Sequence, residues 1–491
     1  MARSRHLWDR TRAFVAADGP PIAVLLLLTA VFYWPILTGQ AFLWGDFPER
    51  VYPFRQFAAV ELSTGRLPLW MPYLFGGIPF LAMIDNGVLY PLNWLLAAFV
   101  RDSALSFYVL ELQTLAHVFL LGLGAYCFSR TVGVSRVGAL LAGVCWMFSG
   151  PVVHHVFHPA IIQTLTWLPL VLLFLVKALD ASSLRLSIAA GAAWGMAVLA
   201  GHPQIFLYVA YAMGLYYVVW LADRMRNQRS LRAAMPATGL FLLVLVVGLA
   251  LSAVAFLPAY ELAGLSERGA TTAGALAWDI RDFRHLVTFV APEFFGQMGP
   301  NTWDYWGPGN QEYGYYWETY VYLGMLPVLL AGAALTGVRQ RLTRFLSILI
   351  AFCLVGILGE TTPFPRLLHN LAPGFGMFRV HARLALVMGL AVAVLAGVGL
   401  DALRASLHDE ALALRLRRYL AVTSGVALAL VLGTILGAGA FAGWLGRDEA
   451  GLILARASLV TEGGRAASVL RSAWPFCGAG IGCRSAVVCS F

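Results

Sequence analysis

The apolar runs of this chain constrain its fold more than any other feature. Runs of spanning length fall near 21–39, 105–128, 137–153, 160–177, 185–200, 204–222, 237–258, 318–337, 344–358, 383–400 and 419–443. Because a transmembrane helix needs about 20 mostly apolar residues, the pattern predicts about eleven spans. Only 12% of the residues are charged, whereas soluble domains carry about 25%. We therefore predict an all-α polytopic membrane protein over residues 1–443, followed by an irregular tail over 444–491.

The positively charged residues predict how the helices are oriented. If the N-terminus lies inside, each inner segment carries two to four Arg or Lys residues, and the much longer outer loops carry fewer in total. Cytoplasmic loops are enriched in Lys and Arg. This predicts a membrane protein with a cytoplasmic N-terminus. The net charge of +9 follows from this topology, so we exclude nucleic acid as a partner. An uncleaved signal anchor is expected at the N-terminus.

Three outer segments are long, at 40–104, 259–317 and 359–382. Most acidic residues and histidines of the chain fall on this side, so we predict an extracytoplasmic active face. The first segment is too charged to cross a bilayer and too aromatic for a linker, and we predict an ordered loop on the membrane surface. Glycine, proline and aromatic residues in the other two segments favour loops with defined turns over additional helices.

Asp46 is the candidate catalytic residue, in the sequence Trp44-Gly45-Asp46-Phe47-Pro48. A carboxylate at the membrane surface can accept a proton from a hydroxyl, and shielding by aromatic residues would raise its pKa towards that of a useful general base. The alternative is a capping or turn acid paired with Arg50 or Arg55. The position of Asp46 on the outer side favours the catalytic interpretation.

Further polar residues on the outer side are candidates for substrate binding. Outward arginines run against the charge bias and suit a phosphate, although snorkelling to lipid headgroups is an equal alternative. The tight turn Gly201-His202-Pro203-Gln204 points a polar pair towards the outer side. The candidate set is Glu49, Arg55, Asp85, Asn86, His202, Gln204, Arg379 and Arg383.

Two other groups of residues have both structural and functional interpretations. His154 and His158 could hold a metal on a helical turn, yet no acid lies nearby in sequence, and interfacial hydrogen bonding is preferred. We therefore predict no metal ligands, and a divalent metal is the one cofactor left open. Glu111 and His117 lie inside a span, where ionisable residues bond to neighbouring helices or face a ligand.

Several short strings of the sequence resemble the YfhO-like bacterial membrane proteins, which are placed with the GT-C class of polytopic glycosyltransferases. The resemblance covers most of residues 21–400. It rests on Gly45-Asp46 with Tyr52-Pro53, Pro68-Leu69-Trp70-Met71-Pro72-Tyr73, Phe75-Gly76-Gly77-Ile78-Pro79-Phe80, Gly201-His202-Pro203-Gln204, Pro292-Glu293-Phe294-Phe295-Gly296, Tyr320-Val321-Tyr322-Leu323-Gly324 and Phe378-Arg379-Val380-His381-Ala382-Arg383. His381 departs from the proline expected in the last string.

The resemblance implies a GT-C-like fold and transfer of a sugar from a polyprenyl-phosphate donor, with inversion at the anomeric carbon. It implies that Asp46 is the base. The expected partners are the donor, membrane lipids and an extracytoplasmic glycan, lipid or protein acceptor of the cell envelope. The alternatives are a transporter or flippase of a lipid-linked saccharide, for which Glu111 and His117 give some support, and a non-catalytic assembly protein.

Overall fold

The computed structural model describes residues 2–228, 235–265, 283–295, 298–299, 302–303, 318–337, 340–359 and 362–436, and these residues are mostly helical. The helices are α1 (Ala2–Phe32), α2 (Trp34–Leu37), α3 (Tyr52–Ser63), α4 (Pro91–Trp94), α5 (Phe107–Thr131), α6 (Arg136–Met147), α7 (Gly150–Val153), α8 (Pro159–Leu165), α9 (Leu168–Asp180), α10 (Leu184–Leu199), α11 (Pro203–Gln228), α12 (Met235–Gly264), α13 (Met325–Ala334), α14 (Gln340–Ile357), α15 (Phe364–Leu371), α16 (Leu384–Ala405) and α17 (Glu410–Leu436). Strands β1 (Val100–Arg101) and β2 (Ala104–Leu105) form one antiparallel hairpin, and β3 (Met298–Gly299) and β4 (Thr302–Trp303) form another.

Five helical stretches among the described residues are long and apolar enough to cross a membrane. They are Phe107–Thr131, Pro159–Asp180, Pro203–Asn227, Met235–Gly264 and His381–Ala405. Ala17–Phe32, Arg136–Met147, Leu184–Leu199 and Met325–Ala334 are apolar but shorter. An all-α membrane-embedded protein is therefore supported, whereas the prediction of about eleven spans is not confirmed. Several predicted runs count turn residues at their ends, so the helices that form there are shorter than the runs.

The helices differ in how much of their surface the protein itself covers. α16 is the central helix, with 89% of its apolar window buried, and it packs on α6, α13 and α14. In α12 only 22% of the window is buried, which leaves an apolar face suited to lipid. Small residues allow the central contact: a Cβ added to Gly138 of α6 would lie 2.6 Å from the carbonyl oxygen of Gly397 in α16. Close backbone approach of this kind is common between membrane helices.

The outer segments are more helical than the sequence predicts. The first segment, 40–104, contains α3 and α4 as well as the β1–β2 hairpin, and is ordered as expected. The third, 359–382, contains α15, so the prediction of turns without an additional helix is wrong there. Pro365 does not prevent this helix because proline is tolerated in the first turn, where no intrahelical N–H bond is lost. Most of the second segment, 259–317, and the tail 444–491 lie outside the described residues.

Polar side chains collect at the two ends of the helices. The histidine end, where α8, α11 and α16 begin, carries Asp46, His155, His158, His202 and Arg383. The arginine end, where α9 and α11 finish and α14 begins, carries the pairs Arg341–Asp180 and Arg344–Asp223. Asp46, the predicted catalytic acid, and Arg383 therefore lie at the same end of the protein.

Candidate functional site

Asp46 lies at the start of a short π-helical turn, Phe47–Val51, which leads directly into α3. The chain before it is fixed to α5, because the backbone N–H of Leu43 donates to Oε1 of Glu111 at 2.7 Å. The Asp46 side chain is 53% exposed, and its Oδ2 lies 3.3 Å from Nε2 of His158. This carboxylate is therefore accessible from solvent and also held by the protein.

The environment of Asp46 lowers its pKa. The hydrogen bond from His158 has the largest effect and outweighs partial burial, which alone would raise the pKa. The positive charge of Arg50 also lowers the pKa of Asp46, and the negative charge of Glu318 opposes this effect. The expectation of a raised pKa is therefore wrong, because aromatic residues do not enclose the carboxylate and a hydrogen-bond donor contacts it. Asp46 is ionised at neutral pH.

Glu318 and Arg383 form a buried ion pair close to Asp46. Nε of Arg383 donates to Oε2 of Glu318 at 2.8 Å, and Nη2 donates to Oε1. The side chain of Glu318 is 7% exposed and that of Arg383 is 19% exposed. Burial acts to raise the pKa of Glu318, but Arg383 and His155 together hold it well below its ordinary value. The bidentate contact fixes the plane of the guanidinium group.

His155 links this ion pair to the turn that carries His158. Nε2 of His155 lies 3.1 Å from Oε2 of Glu318, and its Nδ1 lies 2.8 Å from the carbonyl oxygen of Pro151. Both partners are acceptors, so both contacts are hydrogen bonds only when the ring carries two protons. The rings of His155 and His158 are 5.7 Å apart. Two histidines of one turn thus each contact one carboxylate: His155 contacts Glu318, and His158 contacts Asp46.

His202 faces the remaining edge of Arg383. Nδ1 of His202 accepts the backbone N–H of Ile205 at 3.2 Å, and Nε2 lies 3.3 Å from Nη1 of Arg383. Burial and the charge of Arg383 hold the pKa of His202 well below its ordinary value, so the ring is neutral and has one N–H. With Nδ1 accepting, that N–H is on Nε2. Two N–H donors then face each other, and the other tautomer only moves the conflict to Ile205.

Gln204 completes this edge and connects it to the segment before α16. Its Oε1 accepts from Nη1 of Arg383 at 3.1 Å, while its Nε2 donates to the carbonyl oxygen of Arg379 at 2.7 Å. The turn that carries His202 and Gln204 is pressed against the first outer segment. A Cβ on Gly201, whose φ is +111°, would lie 2.8 Å from the carbonyl oxygen of Ile84. Glycine is therefore required at this turn.

Arg55, on α3 of the first outer segment, belongs to a second polar group. It is buried, and its Nη2 donates to Oε1 of Gln163 at 3.0 Å. Gln163 in turn donates to Oδ1 of Asn93 at 3.0 Å. Among the described residues, Nη1 of Arg55 is buried without a hydrogen-bond partner. Thr164, next to Gln163, accepts the backbone N–H of His202 at 3.1 Å, which joins this group to the His202 turn.

The structure brings some of the candidates together and leaves others apart. Asp46, His202, Gln204 and Arg383 belong to one polar group, and Arg55 adjoins it through α8. Asp85 forms an ion pair with Arg50, and Asn86 is buried with its amide donating to the carbonyl oxygen of Phe80 at 3.3 Å. Glu49 and the side chain of Arg379 are exposed at this end. Asp85 and Asn86 therefore serve the folding of the first outer segment in this structure.

Three residues of the site had no catalytic assignment from sequence: His155, His158 and Glu318. The sequence offers His158, with His154, as a metal ligand without a nearby acid, and gives His155 no ligand role. The fold supplies one acid to each of His155 and His158, namely Glu318 and Asp46. Within the described residues, no group of three or more His, Cys, Asp or Glu is placed to hold a metal ion. The one signal in the sequence was the density of histidine in His154-His155-Val156-Phe157-His158 on an outer turn.

An apolar cavity of about 500 Å³ lies beside the site. Pro48, two residues after Asp46, forms part of its wall, and the rest comes mainly from the chain after α2 and the start of α5. The lining residues are Gly39, Ala41, Phe42, Pro48, Ser106, Phe107, Tyr108 and Glu111. Comparison of the chain with protein-family models gives no match, and comparison with curated proteins gives none either.

Proposed function

We propose that this protein is a membrane glycosyltransferase of the GT-C type, which transfers a sugar from a polyprenyl-phosphate donor to an extracytoplasmic acceptor. The observation that carries this proposal is that an accessible carboxylate, Asp46, lies at the histidine end together with Arg383 and His202, whose Nη1 and Nε2 atoms are 3.3 Å apart. A carboxylate suits the proton of an acceptor hydroxyl, and converging N–H donors suit a phosphate oxygen.

The proposed reaction needs one base and one anion site. The acceptor oxygen attacks the anomeric carbon as the bond between that carbon and the phosphate oxygen breaks. The bonding electron pair leaves with the phosphate, and the hydroxyl proton passes to Asp46, with inversion at the anomeric carbon. Arg383 and His202 stabilise the charge that develops on the leaving phosphate, as preorganised donors do in other transfer enzymes. Glu318 positions Arg383 for this role.

The position of the apolar cavity supports a lipid-linked donor. Its lining is mostly aromatic and aliphatic, including Phe42, Pro48 and Phe107, which suits an isoprenoid chain, and Pro48 is two residues from Asp46. Arg55 and the exposed Arg379 and Glu49 would then contact the sugar or a second headgroup oxygen. The distribution of arginines supports an outward-facing histidine end in the bacterial inner membrane.

A flippase for a lipid-linked saccharide is the second candidate. Glu111 and His117 in the span of α5 favour it, because ionisable residues inside a membrane usually mark a pathway. However, Glu111 accepts the backbone N–H of Leu43, and His117 contacts the carbonyl oxygen of Gln113 at 2.8 Å and the hydroxyl of Tyr90 at 3.2 Å. These contacts give both residues a structural role, so the transferase is the better-supported candidate.

The test is sugar transfer by the purified protein in vesicles, with synthetic polyprenyl-phosphate hexoses as donors and outer-envelope glycolipids as acceptors. We expect Asp46→Asn to reduce the rate about 100- to 10,000-fold, the usual contribution of a general base. The matched control is Glu61→Gln, an acid of the same outer segment that pairs with Arg66 at 2.8 Å on the surface. Full activity of a folded Asp46→Asn protein would refute the role of Asp46, and saccharide translocation without transfer would support the flippase.

A further inference from the structure

Within the described residues, the ring of His158 contacts Asp46, with 3.3 Å between its Nε2 and Oδ2 of the carboxylate. Of the groups around Asp46, His158 has the largest effect on the pKa of that carboxylate. We infer that His158 is the positioning residue of the site: its Nε2–H fixes the Asp46 carboxylate on the turn before α3, with one carboxylate oxygen held and the other directed to the acceptor. This inference rests on the proposed function for its catalytic meaning, but the contact itself can be tested without any substrate.

His158 is the less exposed member of the pair and is therefore suited to hold Asp46 in place. The His158 side chain is 16% exposed, whereas that of Asp46 is 53% exposed. His158 lies at the start of α8, immediately before Pro159, and its ring packs on Phe157 with 4.3 Å between ring centroids. Phe157 also stacks on Trp44, two residues before Asp46, at 5.9 Å. Phe157 therefore contacts both His158, which is the donor, and the segment that carries Asp46, which is the acceptor.

Nδ1, the other ring nitrogen of His158, indicates whether this residue positions Asp46 or relays its proton. Burial lowers the pKa of His158 more than Asp46 raises it, so the ring is neutral and has a single N–H. That proton must be on Nε2, because Asp46 is an acceptor. Nδ1 is buried and has no hydrogen-bond partner among the described residues. The ring therefore has no second described partner to which it could pass a proton, and Asp46 exchanges its proton with solvent instead.

The contact with His158 should affect the pH below which Asp46 becomes protonated. The groups that influence the charge of Asp46 are His158, Arg50 and Glu318. Of these, His158 has the largest effect, and it lowers the pKa of Asp46 by stabilising the ionised form. Removal of the donor should therefore raise that pKa and bring protonation of the base closer to neutral pH. Loss of folding alone would reduce the active fraction without moving the titration.

The experiment is a carboxyl titration by ¹³C NMR of protein labelled at aspartate, with the Asp46 signal assigned by its loss in Asp46→Asn. His158→Phe keeps a ring of similar size and removes the donor, and we expect the titration midpoint of Asp46 to rise. His158→Gln keeps an N–H near the Nε2 position and should restore most of the shift. The control is His154→Phe, a histidine of the same turn whose ring stacks on Tyr320 and whose Nδ1 lies 3.0 Å from the carbonyl oxygen of Gly150.

An unchanged midpoint in folded His158→Phe, or an equal rise in His154→Phe, would overturn the inference. If His158→Phe does not fold, the ¹⁵N signal of His158 is compared between the unaltered protein and Asp46→Asn. The hydrogen bond predicts an Nε2–H tautomer whose signal moves on loss of the carboxylate, and an unmoved signal would refute it. A shifted titration in a protein without sugar transfer would retain the positioning contact and reject the transferase, so the two proposals fail separately.

Discussion

The two ends of the helix bundle hold arginines against carboxylates in opposite ways. At the arginine end, Asp180 and Arg341 are paired at 2.9 Å with side chains 42% and 39% exposed. At the histidine end, the Glu318–Arg383 pair is nearly enclosed, and His155, His202 and Gln204 surround it. Exposed pairs contribute about 0–1 kcal/mol because water and salt screen them. A buried pair with additional histidines requires every member to be satisfied.

This difference indicates separate roles for the two ends. The ion pairs at the arginine end are partly exposed, so water can solvate each charge without its partner. At the histidine end the fold removes several titratable groups from water, which costs folding free energy and is typical of a site with a chemical task. The comparison is therefore best tested by making the same kind of change at both ends.

The largest expected effect on stability is from Glu318→Gln. It leaves Arg383 buried without its counter-charge, which typically costs about 3–5 kcal/mol of unfolding free energy. The same change at the arginine end, Asp180→Asn, should cost about 1 kcal/mol or less. Unfolding midpoints in detergent micelles measure both. Equal losses of unfolding free energy would show that burial of the Glu318–Arg383 pair does not increase its contribution to stability.

The pH dependence of stability should isolate the contribution of Glu318. The folded pKa of Glu318 lies well below its ordinary value of 4.5. Its contribution to stability is therefore fully present above pH 4.5, and is lost as the pH falls further through the folded pKa. Below pH 4.5, the unaltered protein should lose unfolding free energy more steeply than Glu318→Gln does. Thermal unfolding at a series of acidic pH values measures the two slopes, and parallel curves would contradict this assignment.

A smaller effect is expected from His202→Phe on phosphate binding. Loss of the Nε2–H removes one hydrogen bond to a charged group, worth about 1.5–3 kcal/mol, and should weaken binding of a polyprenyl phosphate about 10- to 100-fold. The matched control is His408→Phe, an exposed histidine after α16 at the arginine end. Calorimetry in nanodiscs gives both Kd values. Equal affinities for His202→Phe and the control would exclude His202 from the anion site.

The sequence by itself determined the class of the protein. Apolar runs and low charge follow directly from the absence of water in a bilayer, so a membrane-embedded helical protein could be predicted without any contacts. Asp46, His202, Gln204 and Arg383 could also be singled out, because they interrupt apolar runs near predicted helix ends. The number of spans could not, since apolar residues also fill turns and buried helices.

Only the tertiary structure decided which of these residues meet. Asp46 and His158 are far apart in the chain, as are His155 and Glu318, and hydrogen bonds between distant residues leave no periodic signal in a single sequence. The direction in which the pKa of Asp46 is shifted was also decided by the tertiary structure, because it depends on His158, which belongs to a different turn. Hydropathy records whether a segment avoids water, whereas donors, acceptors and the pairing of charges depend on which segments pack together.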